Sequence, residues 1–175
     1  MNIAIVGATG NVGRKTLEVL EKKELSIDNL YLVASSNSAG KKVIFKSQEY
    51  EVLDLESFDF SKVKIAFFAA GGKISEKFAE RAAKSCLVID NSSHFRMDPD
   101  VPLIVPQVNS SALNNIKKNI IANPNCSTAQ LVIALKPLHD LFNIKRIVVS
   151  TYQSVSGGGK APMDELIEQT QLALD

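Results

Sequence analysis

The sequence predicts an α/β protein, a doubly wound parallel sheet followed by the truncated start of an α+β domain. Apolar runs bounded by Gly, Ser, Asn and Asp recur at residues 2–6, 30–34, 64–69, 86–89, 119–122 and 146–150. They are apolar at consecutive positions, as strands covered on both faces are. Segments with helical spacing lie between them, and alternating strand and helix imply a parallel sheet. A glycine cluster at residues 7–13 joins the first strand to the first helix.

Each element has its own signal. Residues 2–6 (Asn-Ile-Ala-Ile-Val) enter the glycine turn at once, with no positive segment before them. They therefore read as a buried strand, not a signal peptide, and the chain is placed in the cytoplasm. Val12, Thr16, Leu17, Val19 and Leu20 form the first helical stripe; Phe78, Ala79, Ala82 and Ala83 form the second, just before Cys86. Pro99, Pro102, Pro106 and Pro124 punctuate the chain before residue 125. That punctuation puts the domain boundary at 124/125: residues 1–124 bind a dinucleotide, and 125–175 begin a catalytic domain. Beyond it come a helix from about Ser127, a strand from about Arg146, a glycine loop and a helix from about Pro162 that shows no C-cap, so the chain is expected to stop inside a domain.

Composition narrows the functional classes. The 175 residues are 45% hydrophobic and 22% charged, with 20 Lys+Arg against 19 Asp+Glu. Such a chain folds into a globular core and carries no electrostatic footprint for nucleic acid or acidic lipid. Its longest apolar stretch, residues 65–70, is far too short to span a bilayer. Two cysteines, Cys86 and Cys126, do not make a disulfide scaffold. No metal is expected.

The chemistry concentrates in three places. Gly7-Ala8-Thr9-Gly10-Asn11-Val12-Gly13 follows a strand and opens a helix, the context of a dinucleotide-binding turn. Gly7 permits the turn, Gly10 a close approach of backbone to pyrophosphate, and Gly13 close packing of helix on strand. The second strand ends in Ala34-Ser35-Ser36-Asn37-Ser38-Ala39-Gly40-Lys41-Lys42, with no carboxylate to repel a 2′-phosphate. NADP is therefore the expected cofactor. Asn125 before Cys126 is a plausible helix N-cap, which puts Cys126 in a first turn where the helix dipole favours a thiolate. Cys86, beside Leu87-Val88-Ile89, reads as a small buried hydrophobe. A thiolate beside a nicotinamide implies an aldehyde dehydrogenase working through a thioester. His94 and His139 read as solvated polar residues, so the general base is not expected in this sequence.

Six ordered blocks resemble the aspartate-semialdehyde dehydrogenase family: residues 7–13, 34–40, 90–97, 105–109, 123–128 and 151–157. The resemblance implies that Cys126 is the acyl-thioester nucleophile, that Gln153 orients the substrate, and that Arg96 binds phosphate or the acyl phosphate, with Asn125 beside it. It implies that Thr9, Gly10, Asn11 and Val12 hold pyrophosphate, that Ser35, Asn37 and Ser38 hold the adenosine phosphate, and that Ser156 and Gly157 lie near the nicotinamide. Many members carry Arg where this chain has Asn37. The implied reaction is NADPH-dependent reductive dephosphorylation of aspartyl phosphate to aspartate semialdehyde, toward lysine, threonine and methionine. The implied full-length protein is a homodimer about twice as long. Two rival readings stand: an incomplete fragment that only binds nucleotide, and an unrelated nucleotide-binding protein in which Cys126 is structural.

Overall fold

The computed structural model describes residues 1–23 and 25–174. Seven strands form one sheet: β1 (Ile3–Val6), β2 (Leu30–Ala34), β3 (Lys42–Phe45), β4 (Gln48–Asp54), β5 (Ile65–Phe68), β6 (Leu87–Asp90) and β7 (Ile120–Ala122). Their order is β3-β4-β2-β1-β5-β6-β7, and every pair is parallel except the β3–β4 hairpin. The chain runs outward from β1 to β2 and then returns to β5 on β1's other side. That reversal makes the C-terminal ends of β1 and β5 a topological switch point, where open α/β sheets bind ligands.

The expected strands at 2–6, 30–34, 64–69, 86–89 and 119–122 form as β1, β2, β5, β6 and β7. Both faces of the sheet are covered. Ile3 and Ile5 point to one side, where Leu17 and Leu20 of α1 (Asn11–Lys22) pack with Leu30, Leu32 and Val52. Ala4 and Val6 point to the other, where Phe78, Ala79 and Ala82 of α2 (Gly72–Ala83) pack with Ala66, Phe68 and Val88. Each fully covered Leu or Phe contributes roughly 1.5–3 kcal/mol by leaving water.

The sequence pattern differs from the structure at two elements, a hairpin and an apolar run, and one expected helix is longer than its apolar stretch. The β3–β4 hairpin occupies a stretch to which the sequence pattern assigns no element. Its turn residues Lys46 and Ser47 both have positive φ, 48° and 63°. This is the backbone a two-residue hairpin turn needs, built without the Asn-Gly that announces one. The helix expected near residue 127 is α4 (Cys126–Phe142), and it runs through Pro137 to Asn143, whose left-handed backbone closes it with a bond from its N–H to the His139 carbonyl. The apolar run 146–150 is not a strand: it has no ladder partner among the described residues, and Ile147, Val148 and Val149 are 54%, 79% and 52% exposed. A strand needs a hydrogen-bonded neighbour as well as an apolar run.

The chain divides into two compact units, Met1–Asn143 and a second beginning at Ile144. The contact division therefore falls after α4, later than the 124/125 boundary read from the prolines. A short helix, α3 (Pro106–Asn109), packs on α4 within the first unit. The second unit holds a 3₁₀ turn (Val155–Gly158) and α5 (Lys160–Leu174). No helix among the described residues is long and apolar enough to cross a membrane.

Candidate active site

The glycine turn leaves β1 at the switch point. Gly7 has φ +86°, and a Cβ there would lie 2.7 Å from the Ala69 carbonyl oxygen at the end of β5. Gly13 is more constrained: its Cβ would sit 2.2 Å from the Gly7 oxygen and 2.8 Å from Ala8 Cα. Only hydrogen at both positions lets α1 come down onto the turn. Gly10 differs, since its Cβ would meet only the Gly7 oxygen at 3.3 Å. It is the N-cap of α1 and supplies no side-chain cap to the first N–H groups of the helix. Thr9 is half-buried, and Gly10, Asn11 and Val12 are exposed around this helix start, Val12 by 50%. A helix N-terminus without a side-chain cap, flanked by backbone that no Cβ obstructs, suits a pyrophosphate.

Ser35, Asn37 and Ser38 lie just past β2, on a short 3₁₀ turn (Ser36–Ser38) closed by the bond from Ser38 N–H to the Ser35 carbonyl at 2.8 Å. Ser35 and Asn37 are exposed. Lys42 is drawn into an ion pair with Glu49 across the hairpin at 2.7 Å, whereas Lys41 makes no ion pair among the described residues. Asp54, at the end of β4, stands in register with Ala34 and accepts a bond from Glu56 N–H. The loop after β2 carries no acid of its own.

β6 and β7 end side by side, and a polar cluster fills the space beyond them. Arg96 donates from Nε to the Asn123 carbonyl at 3.0 Å and from Nη2 to the Asn91 carbonyl at 3.1 Å. Asn123 Nδ2 donates to Asn91 Oδ1 at 2.7 Å. Buried Phe95 anchors the segment beside Arg96. A guanidinium has five N–H groups. Arg96 is thus fixed by two donors, and its Nη1 group has no hydrogen-bond partner among the described residues. Asn91 and Asn123 were not singled out from sequence; each lay within a recognised block, but their joint role needs β6 and β7 to be neighbours.

Two residues past Asn123, Asn125 caps α4: its Oδ1 accepts from Ser127 N–H at 2.9 Å and from Thr128 N–H at 3.4 Å. Cys126 is the first residue of that helix and is exposed. Cys86 is buried, its Sγ donates to the Ala82 carbonyl at 3.3 Å, and burial pushes its thiol up to about 11. Iodoacetamide near neutral pH is therefore expected to label Cys126 and spare Cys86, read by peptide mass mapping. The folded state keeps the Cys86 proton where an unfolded thiol has lost it. The stability this contributes is present below the ordinary value of 9.0 and is lost as pH rises through about 11, the range in which Cys86 labelling is expected to begin.

In the second unit Gln153 is exposed, and its Oε1 accepts a long bond from Thr151 Oγ1 at 3.5 Å. The Ser156 hydroxyl pairs with that of Ser154 at 2.9 Å, and Gly157 lies in the turn that Ser154 caps. His94 is exposed and packs edge-on against Phe95, while His139 lies in the last turn of α4.

A glycine turn at the switch point of a parallel sheet, built so that α1 can approach it only without side chains, defines a dinucleotide-binding domain. Residues 2–116 match the semialdehyde dehydrogenase NAD binding domain, and residues 135–175 match the semialdehyde dehydrogenase dimerisation domain. The chain belongs to the semialdehyde dehydrogenase family. Within that family it resembles aspartate-semialdehyde dehydrogenases. It is 54% identical to the aspartate-semialdehyde dehydrogenase of Rickettsia bellii over 172 residues, covering 97% of this chain and 51% of that protein. The crystal structure of aspartate semialdehyde dehydrogenase II complexed with ASA from Vibrio cholerae superposes with a TM-score of 0.94 at 52% identity, over 99% of this chain and 52% of that one. The enzyme from Candida albicans, crystallised with NADP, matches with a TM-score of 0.65 at 29% identity, over 82% of this chain and 48% of that one. The chain spans about half the length of the relatives it matches.

Proposed function

We propose that this chain is the nucleotide-binding part and the opening of the catalytic part of an NADPH-dependent aspartate-semialdehyde dehydrogenase. The reaction is reductive dephosphorylation of aspartyl phosphate to aspartate semialdehyde, on the cytoplasmic route to lysine, threonine and methionine. One observation carries the reading. An exposed, N-capped cysteine begins a helix three residues after Asn123, the residue whose carbonyl holds Arg96.

In this reading the Cys126 sulfur attacks the carbonyl carbon of aspartyl phosphate. The carbon–oxygen bond to phosphate breaks, phosphate departs toward the Arg96 guanidinium, and an aspartyl thioester remains on Cys126. Arg96 suits this role because its charge is permanent and two of its donors already fix its plane. Asn125 holds the start of α4, and so the position of the sulfur, through its cap. The cradle at Gly7, Thr9, Gly10, Asn11, Val12 and Gly13 suits a pyrophosphate, since Gly7 and Gly13 let α1 pack onto the turn and Gly10 leaves the helix start without a side-chain cap. The acid-free turn at Ser35, Asn37 and Ser38, with Lys41 beside it, favours NADP over NAD. A reduced nicotinamide dinucleotide held by these residues would supply the hydride that takes the thioester to the aldehyde and frees the Cys126 sulfur. Gln153 orients the substrate, and Ser156 and Gly157 contact the nicotinamide end; both roles rest on the resemblance. The full-length protein is a homodimer, in keeping with the match to a dimerisation domain.

The 175-residue chain is expected to bind NADP without turning over aspartate semialdehyde, and to bind NADP at least about tenfold more tightly than NAD, a difference of about 1.4 kcal/mol. The test is phosphate-dependent NADP reduction with aspartate semialdehyde, comparing this chain with the longest product of its reading frame. Turnover by the longer protein alone supports the proposal. Turnover by neither leaves nucleotide binding as the function, and equal affinity for NAD overturns the cofactor assignment.

A further inference from the structure

Asp90, the last residue of β6, is wholly buried, and no Lys, Arg or His pairs with it among the described residues. Its carboxylate is satisfied by neutral donors. Oδ1 accepts from the buried Ser75 hydroxyl of α2 at 2.6 Å and from Ser92 N–H at 3.1 Å, and Oδ2 accepts from the Ser92 hydroxyl at 2.7 Å. Removing a carboxylate from water is unfavourable, and an apolar residue would pack here without that penalty. What the carboxylate adds is geometry, through the groups it holds.

Two paths lead from Asp90 to Arg96. The Ser92 hydroxyl gives its proton to Asp90 and accepts the His94 N–H at 3.1 Å, so the side chain of Asp90 sets the path of the segment that carries Arg96. The carbonyl of Asp90 accepts the Asn123 N–H at 2.8 Å, and the Asn123 carbonyl in turn receives Arg96 Nε. One residue thus registers both the segment bearing the guanidinium and the carbonyl that orients it. We infer that Asp90, through Ser92, is a positioning residue that holds Arg96 in place for the phosphate or acyl phosphate it binds. The inference rests on the anion-binding role of Arg96 proposed above.

The test uses the longest product of the reading frame, with inorganic phosphate as the varied substrate and aspartate semialdehyde oxidation as the readout. Ser92→Ala cuts the link between carboxylate and loop, and Asp90→Asn replaces the oxygen that faces the Ser92 hydroxyl with an amide donor, so that hydroxyl has to turn its proton away. Each is expected to raise the KM for phosphate roughly tenfold to 100-fold, the scale of an ångström-sized misplacement, and to leave the KM for NADP unchanged. Ser92→Thr, which keeps the hydroxyl, is expected to restore the phosphate KM. Phe60→Leu, a core change chosen to lower Tm by a similar amount, is expected not to move it.

If Asp90→Asn does not fold, Ser92→Ala and Ser92→Thr decide the matter. A wild-type phosphate KM in Ser92→Ala, together with a raised one in Arg96→Ala, overturns the positioning role while leaving the assignment of Arg96 intact. An unchanged phosphate KM in Arg96→Ala overturns that assignment, and the positioning role with it. A phosphate KM that follows Tm in Phe60→Leu as closely as in Ser92→Ala shows a merely structural role.

Discussion

Replacing Cys126 with alanine is expected to lower phosphate-dependent NADP reduction by roughly 10⁴-fold or more in the longest product of the reading frame, the scale on which a covalent nucleophile's removal is felt. The fold is expected to be unaffected. Cys126 is exposed at the first position of α4 and packs into no core cluster, and alanine is the residue a helix accepts most readily. Tm and NADP affinity therefore stay at their wild-type values while turnover is lost. Cys86→Ser is the opposite case. It puts a hydroxyl where a buried thiol lies against α2 and the end of the core, so it lowers Tm while retaining turnover. Turnover that survives in Cys126→Ala, or is lost equally in Cys86→Ser at a temperature where both are folded, contradicts the assignment.

Gly13→Ala is expected to lower stability by about 3 kcal/mol, at the upper end of ordinary overpacking costs. The added methyl would lie 2.2 Å from the Gly7 oxygen and 2.8 Å from Ala8 Cα. Both atoms are backbone of the strand-to-helix turn, so neither can rotate away as a side chain would. Relief requires α1 to lift from the sheet, which uncovers Leu17 and Leu20. The gain of about 1 kcal/mol in helix propensity is too small to offset this. A fall in Tm of roughly 6–12 °C follows for a chain of this size, and NADP binding is lost with the turn. Gly10→Ala separates binding from folding. Its φ is −80° and a Cβ there would meet only the Gly7 oxygen at 3.3 Å, so Tm falls far less than in Gly13→Ala, but the methyl projects at the uncapped start of α1 and weakens NADP binding. Wild-type melting and NADP binding in Gly13→Ala would show that close approach of α1 is not what the glycine provides.

The parallel core of the fold was legible because its strands are covered on both faces. The runs Ile3–Val6, Leu30–Ala34 and Ile65–Phe68 are apolar at successive positions, and that pattern has few other meanings in a run so short. The β3–β4 hairpin was illegible for the converse reason. Lys42–Phe45 is a short strand on the sheet edge whose Ile44 is 70% exposed, Gln48–Asp54 mixes charged and apolar residues, and the turn is made by Lys46 and Ser47. The run 146–150 misled because an apolar stretch reports what it can pair with, not that a partner is beside it.

At the candidate site, the glycine turn and the Asn125–Cys126 cap are local in sequence, and their spacing alone carries their meaning. The clamp on Arg96 is not local. It joins residues 75, 90–92, 96 and 123, which meet only because α2, β6 and β7 are neighbours. A serine within α2 gives no sign that its hydroxyl ends on a buried carboxylate fifteen residues later.

The central claim, a thioester on Cys126, is tested most directly by withholding the phosphate acceptor. The longest product of the reading frame, mixed with aspartate semialdehyde and NADP in phosphate-free buffer, is expected to give a burst of NADPH equal to one per active site. After acid quenching, peptide mapping is expected to find one aspartyl group on the peptide that contains Cys126. A burst that persists in Cys126→Ala, or an aspartyl group on Cys86 or any other residue, contradicts the account.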